Sequence, residues 1–368
     1  MQKAIKLIKS NIVTVIAFLL AAITAFIVPP DGEYLGYFDF RTLTCLFCVL
    51  LVVCALRNVR FFFTLAKAIV RRFKNTRSAT VALVYITFIG SMLIANDMAL
   101  LTFLPLGYFV LHTTGKDKYM ATVFILQNIA ANLGGMLTPF GNPQNLYLYS
   151  KFEIPDLEFI SIMLPPFVIS ITLITVACFI FVRPEEFEIK ERAAALPIPR
   201  VAIYLILFAF SILIVFRSIP YIWGLIIIPI AILILDREAF LSVDYGLLLT
   251  FVFFFIFSGN MARIAPIREF FSYLMEIDTL IFSALSCQVI SNVPSAILLS
   301  NFTENYRELL LGVNIGGVGT LIASLASLIT FREYTKDQPK KTLSYILKFS
   351  AFNFAFLVIL IMFSAIFR

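Results

Sequence analysis

Two stretches of this chain set glycine, asparagine, serine and threonine in the middle of otherwise apolar segments: Ala131 to Asn145 (ANLGGMLTPFGNPQN) and Val313 to Ser327 (VNIGGVGTLIASLAS). At a constant offset Asn132 pairs with Asn314, Gly134 and Gly135 with Gly316 and Gly317, Thr138 with Thr320, and Asn142 and Asn145 with Ser324 and Ser327. Four of the fifteen pairs are identities, so the weight lies in where the patches fall. In hydrocarbon, irregular polar backbone survives only where protein or a water-filled cavity covers it. Interrupted helices in corresponding positions of two halves point to a transporter's binding site.

The surroundings bring that argument into force. Hydrophobic residues make up 61% of the chain and charged residues 14%, and 40 of the 368 residues are Phe. This is the composition of a membrane protein rather than a soluble domain. The net charge of +7 does not indicate nucleic acid, because the basic residues form short clusters at the ends of apolar runs, as the positive-inside rule orders them. Lys3, Lys6 and Lys9 precede the first run, 11–29, which is long for a signal-peptide h-region and has no A-x-A cleavage site. It reads as a retained first span. Cys45, Cys48, Cys54, Cys178 and Cys287 all lie in apolar stretches and read as small buried hydrophobes.

The expected fold is an all-α polytopic membrane protein with nine crossings and two helical hairpins. The N-terminal half, 1–182, holds spans at 11–29 and 40–57, a basic interfacial helix at 58–76, a hairpin at 78–113, a broken helix at 118–150 and a span at 157–182. A linker, 183–200, leads to the C-terminal half, 201–368, with spans at 201–217, 220–235 and 244–260, a hairpin at 277–302, a broken helix at 306–334 and a span at 341–367. The first hairpin is basic on both flanks (Arg77, then Lys116 and Lys118), so it returns to the side it left. Legs of ten to fifteen residues in the second cover roughly 15–22 Å as helix against a core of about 30 Å, so it is re-entrant. The charges put the N-terminus, the linker and Arg332, Lys336, Lys340 and Lys341 in the cytoplasm, and the acidic segments 31–39 and 151–158 outside. Five crossings separate the spans at 40 and 244, which makes the two halves inverted repeats.

Asn96 and Asp97 are the only strongly polar residues in some thirty apolar ones. A carboxylate there costs several kcal/mol unless it is protonated, paired or hydrated. The structural alternative makes Asp97 the N-cap of a helix returning from Met98. Asn292 sits in a parallel Ser-Asn-Val-Pro-Ser, with Pro294 suited to the first turn of a returning helix and Ser291 and Ser295 able to cap or bind. Across 134–145, Pro139 and Pro143 block a continuous helix while Gly134, Gly135 and Gly141 allow unusual dihedrals. Such a break exposes carbonyls that suit Na+ and N–H groups that suit anions. The chain has no phosphate-loop motif, one His, a single C-x-x-C pair (Cys45 and Cys48) with no second pair to complete a four-ligand set, and no second deep aspartate, so neither ATP-driven transport nor a membrane enzyme is expected.

The segments IANDMALLTFLPL (94–106), NIAANLGGMLTPFGNPQN (128–145), SNVPSAILLSN (291–301) and VNIGGVGTLIASLAS (313–327) together resemble the ion transporter superfamily of arsenite permeases, NhaD-type sodium/proton antiporters, citrate transporters and divalent anion/sodium symporters. The resemblance runs from about residue 40 to the C-terminus and is closest to small bacterial permeases with a citrate-transporter-like domain. It implies a multi-pass inner (plasma) membrane protein, often a homodimer, in which a transport domain slides as an elevator against a scaffold. In the dicarboxylate branch each hairpin tip carries Ser-Asn-Thr; here Ser291 and Asn292 match the second tip and Val293 departs, while the first keeps only Asn96 and is closer to the arsenite and antiporter branches.

The residues expected to bind substrate are Asn96, Asn142, Asn145, Ser291, Asn292, Ser295, Thr320 and Ser324. Those expected to couple the driving ion are Asp97, Asn132, Thr138, Gly141 and Asn314, with Na+ at Asp97, Asn132 and Asn314; no other cofactor is expected. Two functions stay open: secondary transport of an oxyanion or small organic acid coupled to H+ or Na+, and cation/proton antiport or metalloid efflux. The charge reading makes a topological prediction. A cysteine introduced near Lys116 should react with an impermeant thiol reagent only from the cytoplasm, and one near Glu304 only from outside; labelling of both from one face would refute the inverted arrangement.

Overall fold

The structure, a computed structural model, describes residues 12–187 and 195–366. Lys3, Lys6, Lys9, residue 11 of the first expected span and the linker residues 188–194 lie outside them. Among the described residues the regular structure is helical, and eight helices are long and apolar enough to cross a membrane. Hydrophobic composition dictates this: with no water to bond to, a backbone at membrane depth satisfies its own N–H and C=O groups, and a helix does so within one segment.

The helices are α1 (Ile12–Ile27), α2 (Phe40–Asn58), α3 (Phe61–Val70), α4 (Thr76–Ile94), α5 (Asn96–Thr113), α6 (Met120–Gly134), α7 (Pro143–Lys151), α8 (Asp156–Phe181) and α9 (Ile198–Val215). They continue as α10 (Tyr221–Leu235), α11 (Arg237–Ser242), α12 (Tyr245–Arg263), α13 (Ala265–Ile290), α14 (Asn292–Leu299), α15 (Tyr306–Ile315), α16 (Leu325–Asp337) and α17 (Thr342–Ile366). Helix α13 is two helices joined at Asp278, whose φ of −165° and ψ of 97° are non-helical. Its Oδ1 accepts from the Ile281 N–H at 2.8 Å and so starts the second segment.

Two tight hairpins result. In the first, α4 and α5 meet at Ala95 (φ 66°, ψ 152°); in the second, α13 and α14 meet at Ser291 (φ 75°, ψ 158°). The turns are alike in detail. Asn96 Oδ1 accepts from the Asp97 N–H at 2.9 Å, and Asn292 Oδ1 accepts from the Val293 N–H at 2.9 Å. Neither turning residue is glycine, so each holds a backbone conformation that costs on the order of 1–3 kcal/mol. The hairpins differ in length. Legs α4 and α5 have 19 and 18 residues, whereas α14 has 8.

The packing falls largely into two sets, joined where α14 lies against α12 as well as α15. Helix α1 lies along α12, and α9 and α10 lie along α2. The hairpins pack instead on the interrupted helices: α4 and α5 on α6, α13 and α14 on α15, with α16 against both α5 and α6. The residues after α8 clasp the open end of the first hairpin. The Glu185 carbonyl accepts from the Thr76 N–H and hydroxyl, each at 2.8 Å, and Arg77 Nε donates to the Val182 carbonyl at 2.8 Å. Bonds from Lys116, Lys118 and Tyr119 hold the Glu185 carboxyl down at about 2. It therefore stays ionised at neutral pH, and its ion pairs with Lys116 and Lys118 are lost only as the pH falls through about 2.

Helix α6 passes so close to α4 that a β-carbon on Gly134 would collide with the Phe88 carbonyl oxygen and the Ser91 hydroxyl. A methyl on Gly36 meets nothing within 4 Å. Gly134→Ala is accordingly expected to destabilise the purified protein by about 1–3 kcal/mol and Gly36→Ala by less than about 0.5, compared as midpoints in a thermal-shift assay.

Candidate functional site

Each interrupted helix leaves carbonyls without an intrahelical partner, and in both cases one side-chain amide takes them. At the first break, spanning the turn Gly135–Leu137 and the residues before Pro143, Asn145 Nδ2 lies 3.2 Å from each of the Gly135, Met136 and Thr138 carbonyls. At the second, between α15 and α16, Gln288 of the second hairpin donates to the Gly316 carbonyl at 2.9 Å and the Val318 carbonyl at 3.2 Å. Its Oε1 accepts from the Thr320 N–H at 2.8 Å.

Four buried asparagines then tie the two breaks together. Asn314 Nδ2 donates to Asn145 Oδ1 at 2.6 Å and to the Leu310 carbonyl at 2.8 Å; its Oδ1 accepts from Asn142 at 3.2 Å and Gln144 at 3.3 Å. Asn142 Nδ2 also donates to the Asn132 carbonyl at 3.2 Å, and Asn132 Oδ1 accepts from Asn96 at the first hairpin tip at 3.3 Å. The second tip joins through the backbone, with the Asn292 N–H on the Ala323 carbonyl at 2.9 Å. One connected set of amides thus joins the first tip to both interrupted helices, and a backbone bond ties the second tip to the second break.

Of the residues singled out from the sequence, Asn96, Asp97, Ser291 and Asn292 line a cavity of about 660 Å³. This cavity runs between the α1–α12 pair and the second hairpin, and the polar end is completed by Gln144. Asn132, Asn142, Asn145 and Asn314 form the network behind it, and Asn314 spends all its side-chain bonding capacity there. The others are held by structural bonds. The Thr138 hydroxyl donates to the Met92 carbonyl at 2.7 Å, and Thr320 Oγ1 to the Gln288 carbonyl at 3.0 Å. Ser295 pairs with Ser286 at 2.9 Å, Ser324 with Ser327 at 2.9 Å, and the Gly141 N–H donates to the Thr138 carbonyl at 3.2 Å.

The capping reading of Asp97 is corrected. Helix α5 begins at Asn96 and Ala95 occupies the cap position with no side-chain bond, because Asn96 turns its own side chain onto the Asp97 N–H. Asp97 is in the first turn, where its charge meets the helix dipole. Its Oδ1 is buried and has no hydrogen-bond partner, as is true of Gln144 Oε1. Among the described residues no three acid, His or Cys side chains gather as a metal cluster. Sequence reasoning passed over Gln288 and Asp244 and took Arg332 only as a cytoplasmic charge; Asp244 and Arg332 both line the cavity. Gln288 carried one signal, a lone amide in an apolar leg; Asp244 and Arg332 look like ordinary charges at helix ends.

Broken helices, paired hairpin tips and a cavity reaching a buried polar network define an integral membrane transporter. The chain matches the citrate transporter family (CitMHS) over residues 4–306, and it belongs to that family. It is similar to the uncharacterized transporter MJ0456 of Methanocaldococcus jannaschii, 33% identical over 295 residues, which are 80% of this chain and 81% of that protein. The inner membrane protein YbiR of Escherichia coli is 29% identical over 304 residues, 80% of each chain. The silicon efflux transporter LSI3 of Oryza sativa is 29% identical over 140 residues, 38% of this chain and 28% of its own length.

Removing the Asn314 side chain leaves Gln144 Nε2 and Asn145 Oδ1 without partners, at about 1–3 kcal/mol for each buried orphan. Asn314→Ala is expected to lower the thermal-shift midpoint and to abolish transport. Ser364, whose buried hydroxyl has no partner, provides the contrast: Ser364→Ala should leave both unchanged.

Proposed function

We propose that this protein is a secondary active transporter that moves a small oxyanion or organic acid together with H+ or Na+. The observation that carries the reading is the partnerless Asp97 Oδ1 at a hairpin tip, lining the cavity. The amide network offers donors and acceptors but no Lys, Arg or His, so nothing in it offsets both an anion and an ionised Asp97. A cation on Asp97 removes the repulsion. That requirement makes the cation and the anion travel together, and a charge is cheaper to carry across the membrane when neutralised.

The motion we assign is an elevator. The scaffold would be α1, α2, α9, α10 and α12, and the moving body the hairpins with the interrupted helices. Support comes from the grouping of contacts and from the matched turns at Ala95 and Ser291. The open end of the first hairpin meets Glu185 and, through Tyr108, Asp337; Asn301, just past the second, bonds Lys151. This is what two hairpins entering from opposite faces would give. With the basic face cytoplasmic, the N-terminus is inside, and the name of the Escherichia coli relative agrees with an inner membrane.

A second reading has its own support. Asp97 and Gln144 line the cavity and each carries a buried partnerless acceptor, Oδ1 and Oε1, which suits a neutral hydroxylated metalloid presenting O–H donors as well as it suits a cation. The name of the rice relative, silicon efflux transporter, points the same way.

Asp97→Asn keeps the size of the side chain and removes its titration. In proteoliposomes the variant is expected to fold and to exchange substrate across the membrane, but to lose accumulation driven by a pH or Na+ gradient. Gradient-driven uptake equal to the parent would leave Asp97 with no part in coupling.

A further inference from the structure

The cavity carries a second carboxylate, and it lies on the other wall. Asp244 precedes α12 and lines the same space as Asp97 and Gln144, together with Thr14 of α1 and Gly246 and Thr250 of α12. Its Oδ1 accepts from the Leu247 N–H at 2.9 Å and caps the helix, and among the described residues no hydrogen bond reaches Oδ2. On the lining of the same cavity the Thr14 hydroxyl is 2.9 Å from Thr250 Oγ1 and 2.9 Å from the Gly246 carbonyl, and Thr250 donates to that carbonyl at 2.7 Å. Two protons serve these bonds, so hydroxyl lone pairs remain.

We propose that Asp244, with the hydroxyls of Thr14 and Thr250, is a loading station for the coupling cation on the scaffold side, from which the cation passes to Asp97. The inference rests on the reading of Asp97 as the coupling group. An independent pointer to a ligand is Gln144, 1% exposed, lining the cavity with an Oε1 that has no partner. An oxygen-only set of one carboxylate and two hydroxyls suits a hard monovalent cation, Na+ or a hydrated proton, rather than a soft metal.

Three features make the station more than a helix cap. The lining of the cavity that holds the two carboxylates is largely apolar, with Phe254, Phe257, Leu298 and Ile322 in it. Charge in a cleft with low-dielectric walls concentrates counter-ions and raises their rate of arrival. The opposing charges are few: Arg332 of α16 lines the cavity, and Arg57 of α2 reaches Met98 Sδ beside Asp97 at 3.4 Å. Asp244 belongs to the α1–α12 pair and Asp97 to a hairpin tip, so one carboxylate stays with the scaffold while the other travels. A cation held first at the fixed group is released to the moving one only when the hairpin occupies the position seen here. Loading is thereby confined to one face.

Asp244→Asn is the test, because Asn caps a helix about as well as Asp and so separates charge from capping. Transport is measured in right-side-out and inside-out vesicles, with NaCl varied at fixed pH in one arm and pH varied without Na+ in the other. The half-saturating cation concentration at the basic face should rise about tenfold, the low end of what a charged cleft contributes, in whichever arm carries coupling. At the opposite face it should stay at the parental value, and Asp244→Glu should restore the basic face. Half-saturation that is parental on both faces, or raised equally on both, overturns the station. Accumulation by Asp97→Asn under the same gradients would overturn the coupling reading instead, so the two failures are distinct. If the Asn variant does not fold, Thr250→Val answers by the same one-sided shift or its absence.

Discussion

Every polar backbone group that leaves a helix inside the hydrocarbon must find a partner within the protein, and two amide side chains meet that demand. Asn145 closes the carbonyls at one break and Gln288 those at the other. Without them the interruptions would collapse or the helices would not break. With them, the breaks become rigid places where amides, glycines and hairpin tips lie together. The functional site is the consequence of how the fold solves its own hydrogen-bonding problem.

The two solutions are not identical. Asn145 belongs to the interrupted helix it serves, while Gln288 reaches across from the second hairpin, which makes that hairpin part of the second break. Asn314 reverses the pattern by joining both breaks through Asn142, Gln144 and Asn145. The tips carry a further tension, since Ala95 and Ser291 hold conformations normally left to glycine. Strain of that kind persists where the surroundings over-determine it, and it gathers at ligand sites and switches.

Charge is used sparingly in the interior. A membrane interior tolerates a carboxylate only where it is neutralised, paired or wet, and Asp97 has a cavity in place of a partner. A group in that situation has affinity left over for a proton, a metal ion or a hydroxyl donor. Bonded as fully as Asn314, it would be a structural residue.

Much of this was legible in the sequence. Apolar composition dictates helices, the interruptions at 131–145 and 313–327 mark where they break, and the isolation of Asp97 marks it as unusual, because each follows from the scarcity of water in a bilayer. Partner choice was not legible. Nothing in the order of residues says that Asn314 meets Asn142 and Asn145, some 170 positions away, or that Gln288 rather than Thr320 holds the second break. The alternative that made Asp97 a cap fails for a local reason, the turn at Ala95 that lets Asn96 bond its neighbour. Asp244 and Arg332 were ordinary helix-end charges until packing placed both on the wall of the cavity that Asp97 lines. The sequence determines which segments are helical and where they cannot be, since that is a contest between each segment and its solvent; tertiary structure decides which polar groups are left unpaired, since pairing depends on chains far apart arriving at the same place.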